Sequence, residues 1–220
     1  MNGLLFITHR TEKYDYLQSV EIALQGGCRQ IQLRMKDALI TEVEQTAVRA
    51  KLLCDAYGAD LYLNDHVDVC LKVQATGVHL GKSDMSPSEA RSILGDKFII
   101  GGTANTYDDI RRLYGQGVDY IGLGPFRFTT TKNNLSPVLG LEGYCEILRL
   151  CKDNEINVPI LAIGGITIDD VPELMQTGVS GIALSSTILN AKNPVEETEK
   201  ILNNFILLFE KSKYPAEVSH

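Results

Sequence analysis

Two cationic side chains and one amide share a face of the segment Gln32-x-Arg34-x-Lys36. Alternate residues of an extended chain point to the same side, so these three side chains converge. A ligand with several anionic oxygens suits such a set, because the arginine fork can bind two oxygens at once. An exposed strand end whose charges pair with neighbours would show the same pattern, and the segment alone leaves both interpretations open.

Short oxygen-bearing side chains follow two further apolar runs: Asn64 and Asp65 after one, and Asp84 after the next. If the two runs are neighbouring parallel strands, both carboxylates could share one Mg²⁺, which keeps waters and phosphate oxygens as its other ligands. The alternative makes Asp65 a helix N-cap and Asp84 a turn residue. A cation site facing Arg34 and Lys36 accounts for both carboxylates together, and we favour it.

A glycine-rich and hydroxyl-rich pattern occurs later in the chain, in Gly164-Gly165-Ile166-Thr167 and in Ser185-Ser186-Thr187. Glycines let the backbone approach a ligand closely, and N–H groups at a helix start can bind an anion. After the last two strands of a barrel this pattern is typical of a phosphate site. Simple turn chemistry is the alternative, since paired glycines and serines occur in many loops.

The segment "FRFTTTKNN", residues 126–134, places three threonines and a lysine directly after an apolar run. Lys132 can neutralise an oxyanion, and Thr129 and Thr131 supply hydroxyl donors. A loop of this length can also close over a bound ligand and exclude water. A solvated surface loop would have a similar composition, but a position between two anion sites favours the functional interpretation.

The histidines and cysteines do not indicate acid–base or nucleophilic catalysis. We expect His79, inside an apolar run, to be a hydrogen-bonded residue of the core or one that supports the site from behind, rather than a base. We expect His66 to be solvated or to cap a helix. No Ser–His–Asp or Cys–His arrangement can be argued. The five cysteines form no C-x-x-C pair, and free thiols in a reducing cytoplasm are the expected state.

Eight short apolar runs alternate with eight amphipathic stretches, as in a parallel sheet covered on both faces. An open doubly wound sheet would show G-x-G-x-x-G after its first strand, whereas the first run here is followed by "HRTEKY". The sequence therefore predicts a (β/α)₈ TIM barrel whose strands end at one polar rim. The predicted strands are Leu4–Thr8, Gln30–Leu33, Asp60–Leu63, Gly77–Leu80, Phe98–Gly101, Tyr120–Leu123, Ile160–Ile163 and Gly181–Leu184; the predicted helices lie near residues 13–26, 41–57, 65–75, 87–94, 107–116, 141–154, 169–177 and 194–211.

Hydroxyl residues precede several predicted helices. Thr41, Ser86, Thr106 and Thr167 each have an acidic residue three positions later, which predicts a capping box at each helix start.

Composition bounds the class of protein. The chain has 220 residues, 44% of them hydrophobic, and carries a net charge of −7, which argues against a broad nucleic-acid surface. It contains no apolar run of the roughly 20 residues that cross a bilayer, and its first apolar segment is expected to be a strand, not a signal peptide. We expect one domain over residues 1–212, a frayed tail over residues 213–220, and a cytoplasmic location; a homo-oligomer is left open.

Taken together and in order, these segments resemble the thiamine phosphate synthase family. The resemblance rests on "QLRMK", "LNDHVDVCL", "TGVHLGKSD", "IIGGTAN", "GVDYIGLGPFRFTTTK", "GLEGY", "ILAIGGIT" and "GVSGIALSS" and covers about residues 28–187. It implies a (β/α)₈ barrel that joins hydroxymethylpyrimidine diphosphate to a thiazole phosphate, or its carboxylated form, and releases pyrophosphate. The implied mechanism is dissociative: diphosphate leaves first, and the thiazole nitrogen traps the pyrimidine-methyl cation.

The resemblance also implies roles for individual residues. Asp65 and Asp84 would bind Mg²⁺, and Arg34, Lys36 and Lys132 would stabilise the departing diphosphate. The pyrimidine diphosphate would be held by Gln32, Arg34, Lys36, Asn64, Thr103 and Lys132, and the thiazole phosphate by Thr129, Thr131, Gly165, Ser185 and Ser186.

Four positions depart from what is usual in that family: Lys82, Thr103, Asn105 and Arg127. Thr103 keeps the usual hydroxyl, and Arg127 stands in place of an aromatic residue. Asn105 stands where many relatives have histidine. The related thiazole tautomerases are understood to use a histidine in that neighbourhood and lack parts of the diphosphate site, and this sequence shows the reverse combination. The synthase is therefore favoured over two alternatives, a tautomerase-type isomerase and a non-catalytic barrel that binds thiazole phosphate.

Overall fold

The computed structural model describes residues 3–36, 38–128 and 137–213. In this part of the chain eight parallel strands close into one barrel, each strand hydrogen-bonded to the next and the last to the first. The strands are β1 Gly3–Ile7, β2 Gln30–Leu33, β3 Asp60–Asn64, β4 Gly77–Leu80, β5 Ile99–Ala104, β6 Tyr120–Leu123, β7 Ile160–Ile163 and β8 Gly181–Leu184. The predicted fold class is confirmed.

Helices follow the strands and form the outer layer. They are α1 Tyr16–Gln25, α2 Ile40–Ala56, α3 Val67–Val73, α4 Pro87–Leu94, α5 Tyr107–Gly115, α6 Gly140–Asp153, α7 Val171–Gln176, α8 Ser186–Leu189 and α9 Pro194–Lys213, with a 3₁₀ turn at Ile168–Asp170. The short helix α8 was not predicted. Of the predicted tail only Lys213, the end of α9, lies within the described residues.

Three of the four predicted capping boxes are present, before α4 at Ser86, before α5 at Thr106 and before the 3₁₀ turn at Thr167. The prediction for Thr41 is wrong. The second helix begins one residue earlier, at Ile40, and its N-cap Leu39 has no side chain that could accept a hydrogen bond. None of the helices in the described residues is long and apolar enough to cross a bilayer.

Burial explains why the strands lack an alternating pattern. Residues of β4, β6 and β8 are buried throughout, because one face of each strand fills the barrel and the other packs against helices. Two apolar clusters result: a large one between strands and helices, and a small one inside the barrel. The inner cluster contains Leu5, Ile7, Tyr62, Tyr120, Leu161 and Ala183.

Tyr120 and Gly101 illustrate how the interior is filled. The Tyr120 ring is fully buried and lies against Gly101 of the neighbouring strand, where any Cβ would collide with the ring. The Tyr62 ring packs against Tyr120 edge to face, at a centroid distance of 6.0 Å. Two large aromatic rings thus fill the barrel interior beneath its carboxyl end.

Candidate active site

A cavity of about 620 Å³ opens at the carboxyl ends of the strands. All eight strands or the loops that follow them contribute to its wall. Nine predicted site residues line it together: Gln32, Arg34, Lys36, Asn64, Asp65, Thr103, Gly165, Ser185 and Ser186. Residues that are far apart in the sequence thus meet in one cavity.

Of the other four predicted residues, Asp84 alone is described, and it does not line the cavity. Asp84 stands just behind the wall, where its Oδ2 accepts a hydrogen bond of 2.7 Å from the N–H of the lining residue Gly81. Thr129, Thr131 and Lys132 lie outside the described residues, so their roles stay predictions.

One edge of the cavity carries charge. Lys36 Nζ lies 3.3 Å from Asp65 Oδ2, and the Asp65 carboxyl interacts electrostatically with the neighbouring carboxyl of Asp84. Burial first, and then the neighbouring Asp84, raise the pKa of Asp65 to about 6, although Lys36 acts in the opposite direction. The two neighbouring carboxylates therefore repel each other when both are ionised, and a bound cation would offset that repulsion.

The backbone brings Asp65 into this position. Its φ of +68° lies in the left-handed region, which aspartate tolerates better than most residues. Its N–H donates to the carbonyl of His79 at 2.9 Å, which ties the end of β3 to β4. The N-cap of α3 is His66, not Asp65, so the helix-cap alternative for Asp65 is wrong.

The donor set fits Mg²⁺. Among the described residues no cluster of three or more histidine, cysteine, aspartate or glutamate side chains could form a cage for a metal ion. Asp65 and Asp84 supply two carboxylates, and Mg²⁺ commonly takes one or two carboxylates and completes its shell with waters and substrate phosphates. Lys36 lies at the same edge and also lines the cavity.

Two buried amides lie deeper in the cavity. The side chains of Gln32 and Asn64, at the ends of β2 and β3, are buried, and Gln32 Nε2 donates to Asn64 Oδ1 at 3.5 Å. This long bond leaves each amide capacity for a ligand, since an amide group has two donors and two acceptor lone pairs.

A chain of hydrogen bonds fixes Thr103 at the end of β5. Tyr120 Oη and Thr103 Oγ1 each lie 3.0 Å from a ring nitrogen of His79, Nδ1 and Nε2 respectively. His79 is buried and hydrogen-bonded, as predicted, and it also lines the cavity. Because Thr103 lines the cavity while Tyr120 is fully buried, the chain links the floor of the barrel to the site.

Thr8 is a site residue that the sequence analysis missed. It is fully buried and lines the cavity. Its Oγ1 accepts a hydrogen bond of 2.9 Å from the Arg34 N–H, and its own N–H donates to the Gln32 carbonyl at 2.9 Å. Thr8 therefore holds the backbone of the cationic segment. A signal was available, because Thr8 is the polar residue at the carboxyl end of the first predicted strand.

His9 does not line the cavity, but it holds a residue that does, and the sequence analysis missed it as well. Its Nδ1 lies 2.7 Å from Ser185 Oγ, and that hydroxyl donates to the Ile7 carbonyl at 2.6 Å. Since Ser185 has a single hydroxyl proton, Nδ1 of His9 is the donor in their shared bond. Burial, and then Arg34, lower the pKa of His9, which favours this neutral tautomer. The contact joins the loop after β8 to the loop after β1.

Two of the unusual positions have local partners. Lys82 Nζ lies 2.6 Å from Asp109 Oδ2, so this lysine is paired with the first turn of α5. The Asn105 side-chain amide donates to the Gly124 carbonyl, so it ties the end of β5 to the loop after β6.

Backbone groups form the opposite edge of the cavity. Gly164 and Gly165 have φ values of +96° and +67°, which residues other than glycine adopt only with strain. Thr187 Oγ1 donates to the Ile166 carbonyl at 2.6 Å and joins the loops after β7 and β8. The predicted phosphate-binding segments thus pack side by side, as neighbouring strands require.

Comparison with known proteins gives matches over most of the chain. The family model described as thiamine monophosphate synthase matches residues 4–188. A thiamine-phosphate synthase of Phocaeicola vulgatus is 60% identical over 200 residues, which cover 91% of this chain and 96% of that protein. One from Bacteroides fragilis is 58% identical over 203 residues, with coverage of 92% and 100%. A solved thiamine phosphate pyrophosphorylase from Pyrococcus furiosus superposes with a TM-score of 0.83 at 33% identity, over 94% of this chain and 96% of that chain.

Proposed function

The chain belongs to the thiamine monophosphate synthase family, and we infer that it is a transferase with thiamine-phosphate synthase activity whose active site is the rim cavity. One observation carries the assignment of the site: a cationic and acidic edge and a glycine and hydroxyl edge line the same cavity. A reaction that joins two phosphorylated molecules needs two such areas within reach of each other.

The proposed substrates are hydroxymethylpyrimidine diphosphate and a thiazole phosphate or its carboxylated form. The bond between the pyrimidine methylene carbon and the diphosphate oxygen breaks, and its electron pair leaves with pyrophosphate. The thiazole nitrogen then donates its lone pair to the methylene carbon and forms the new C–N bond. The carboxylated thiazole in addition loses carbon dioxide, and the ring carbon that carried it takes up a proton from solvent. Neither step requires a protein nucleophile, which agrees with the absence of a nucleophile–base pair from the sequence analysis.

The diphosphate is proposed to bind at the charged edge. Arg34 and Lys36 both line the cavity there, and fixed cations stabilise the negative charge that develops on a departing diphosphate. Asp65 and Asp84 would hold Mg²⁺, which when bound would supply further positive charge to the phosphate oxygens. Lys132 is predicted to contribute as a third cation.

The pyrimidine ring is proposed to lie against the buried amides. Gln32, Asn64 and the hydroxyl of Thr103 offer both donors and acceptors at the bottom of the cavity. Burial of these groups excludes water from the methylene carbon where the cation forms, so that the thiazole nitrogen and not water reaches it.

The thiazole phosphate is proposed to bind at the glycine edge. Gly165, Ser185 and Ser186 line the cavity there, and the positive φ of Gly165 opens its backbone to a ligand. The Ser185 hydroxyl already donates to Ile7, so backbone N–H groups are the better donors to phosphate at this edge. Thr129 and Thr131 are predicted to add hydroxyl donors.

A pyrophosphate-release assay tests this function. Purified protein, supplied with both substrates and Mg²⁺, should release pyrophosphate and form thiamine phosphate in equal amounts, and omission of either substrate should stop both. Arg34→Met should lower kcat by about a hundredfold, the effect of losing one charge-stabilising group. Full activity of that variant would refute the assignment of Arg34. Tight binding of the thiazole phosphate without pyrophosphate release would favour the isomerase or the non-catalytic barrel.

A further inference from the structure

Arg127, which follows β6, makes a bridge between two loops of the rim. Its Nη1 donates to the Gly165 carbonyl at 2.8 Å and to Asp170 Oδ2 at 2.9 Å, and its Nη2 donates to Asp170 Oδ1 at 2.8 Å. The guanidinium also lies over the Phe126 ring, 5.0 Å from its centroid. A bidentate carboxylate contact of this kind fixes the plane of the guanidinium as well as its position.

Main-chain bonds join the same two loops. The N–H of Phe126 donates to the Ile163 carbonyl, and the N–H of Arg127 donates to the Gly164 carbonyl, both at 2.9 Å. Arg127 therefore holds two successive carbonyls, that of Gly164 through its backbone and that of Gly165 through its side chain. Successive carbonyls rarely face one side in extended chain, and the positive φ values of both glycines make this possible.

The direction of these carbonyls determines that of two N–H groups. In a planar trans peptide the N–H points opposite to the carbonyl of the preceding residue. The N–H groups of Gly165 and Ile166 therefore point away from Arg127. Gly165 and Ile166 line the cavity, whereas Arg127 does not, so both donors are directed to the ligand side of the loop.

From this geometry we propose that Arg127 is a positioning residue that aims the N–H groups of Gly165 and Ile166 at the phosphate of the second substrate. The proposal rests on the proposed function, because it takes that substrate to be the thiazole phosphate. Asp170 completes the device. Its Oδ2 also accepts hydrogen bonds of 2.8 Å from the N–H and the hydroxyl of Thr167, so the guanidinium is anchored to the far end of the same loop.

The chemistry of the bridge requires arginine. Lysine could reach one carbonyl or one carboxylate oxygen, but its single ammonium lacks the planar fork that spans Gly165 and both oxygens of Asp170. Arg127→Met keeps much of the apolar stem and removes every side-chain donor, and Arg127→Lys keeps the charge while removing the fork. Asp170→Asn removes the anchor and leaves the arginine in place.

Steady-state kinetics with each substrate varied in turn tests the proposal. In Arg127→Met the bond to the Gly165 carbonyl is lost, whereas the backbone bond to Gly164 remains. We therefore expect the KM for the thiazole phosphate to rise about tenfold, because the Ile166 N–H loses its direction, while the KM for the pyrimidine diphosphate changes less than about twofold. Arg127→Lys should recover part of the loss. Asp170→Asn should show the same selective effect at a smaller size.

Arg91 provides the matched control. It also bridges an aspartate and a carbonyl, Asp119 and Phe98, but at the amino ends of the strands, away from the cavity. Arg91→Met should lower the melting temperature and leave both KM values unchanged. If Arg127→Met does not fold, Asp170→Asn carries the test alone.

Two results would overturn the proposal: equal rises of both KM values, or a fall in kcat with both KM values unchanged, as a purely structural role would give. An inactive wild-type protein would refute the proposed function instead. In that case calorimetric titration with the thiazole phosphate tests the role of Arg127 separately. Arg127→Met should bind the thiazole phosphate about tenfold more weakly than the wild type does. Equal affinity of both proteins would reject it.

Discussion

Lys36 and Asp65, to which the sequence assigns different ligands, form an ion pair of 3.3 Å at the charged edge of the rim cavity. One was predicted to bind phosphate and the other Mg²⁺. A Mg²⁺–diphosphate complex presents both a cation and anionic oxygens. Lys36 could therefore pair with the oxygens and Asp65 with the cation, so that neither charge would be left unpaired. The pair thus marks the place where the two proposed ligands would meet.

Substitution of Asp65 should change the response to Mg²⁺. Removing one of two carboxylates weakens a hard-cation site, so Asp65→Asn should need at least about tenfold more Mg²⁺ for half-maximal activity. A Mg²⁺ titration of pyrophosphate release measures this, and addition of a chelator should stop the wild-type reaction. Asp55→Asn, which breaks the Lys51–Asp55 ion pair of 2.6 Å on α2, is the control. An unaltered Mg²⁺ requirement in Asp65→Asn would disprove its role as a ligand.

Thr8 should affect both stability and diphosphate binding. Thr8→Val keeps the shape of this buried side chain but removes the acceptor of the Arg34 N–H, and leaving a buried donor unpaired costs about 1–3 kcal/mol. Urea unfolding should show that loss, and the KM for the pyrimidine diphosphate should rise.

Thr198 serves as the control for Thr8. It is equally buried and donates to the Pro194 carbonyl within α9 at 2.8 Å, so Thr198→Val should lower stability without changing either KM. If Thr8→Val leaves substrate binding intact, its hydrogen bond to Arg34 has no part in the site.

Gly101 should tolerate no side chain. A Cβ there would collide with the Tyr120 ring, and overpacking of a filled core costs about 1–3 kcal/mol. Gly101→Ala should therefore lower the free energy of unfolding. Gly115→Ala should raise it slightly, because Gly115 ends α5 in open space and alanine is the better helix former. Urea unfolding measures both effects. Similar changes in the free energy of unfolding of the two variants would contradict the packing described for the barrel interior.

The Asp170–Arg127 pair should make stability depend on pH. Arg127 above all, together with Thr167, lowers the pKa of Asp170 to about 2, below the value of about 3.9 expected in the unfolded chain. The stabilisation of the folded state by the Asp170–Arg127 pair is therefore present above about pH 4 and is lost as the pH falls towards 2. Because half of the Arg127 side chain is exposed, the pair stabilises the fold by only about 0.5–1 kcal/mol after screening.

Urea unfolding of the wild type and Asp170→Asn at pH 7, 4 and 3 checks this expectation. The difference between the two should be largest at pH 7 and shrink on acidification. Asp153→Asn, which breaks an exposed pair with Arg149 on α6, should have little effect at each pH. A difference between wild type and Asp170→Asn that stays constant or grows on acidification would contradict the assigned ion pair.

The sequence by itself determined the barrel and most of its rim. Apolar runs that alternate with amphipathic stretches reflect burial, which is a local property of each segment, so β2, β4, β6, β7 and β8 have the predicted bounds. The rule that parallel strands end on one side then places Arg34, Asp65 and Gly165 together, and all three line the cavity. The family-level resemblance agrees with the relatives found.

Only the tertiary structure decided which rim residues contact each other. His9 and Ser185 are 176 positions apart, and Arg127 and Asp170 are 43 apart; no local pattern joins such pairs. Their contacts depend on closure of β8 against β1 and on loop conformations set by the positive φ of Gly164 and Gly165. Composition and periodicity specify which faces are buried, because burial dominates folding free energy. The directions of individual donors and acceptors involve about 1 kcal/mol each, and they follow only once the barrel has closed.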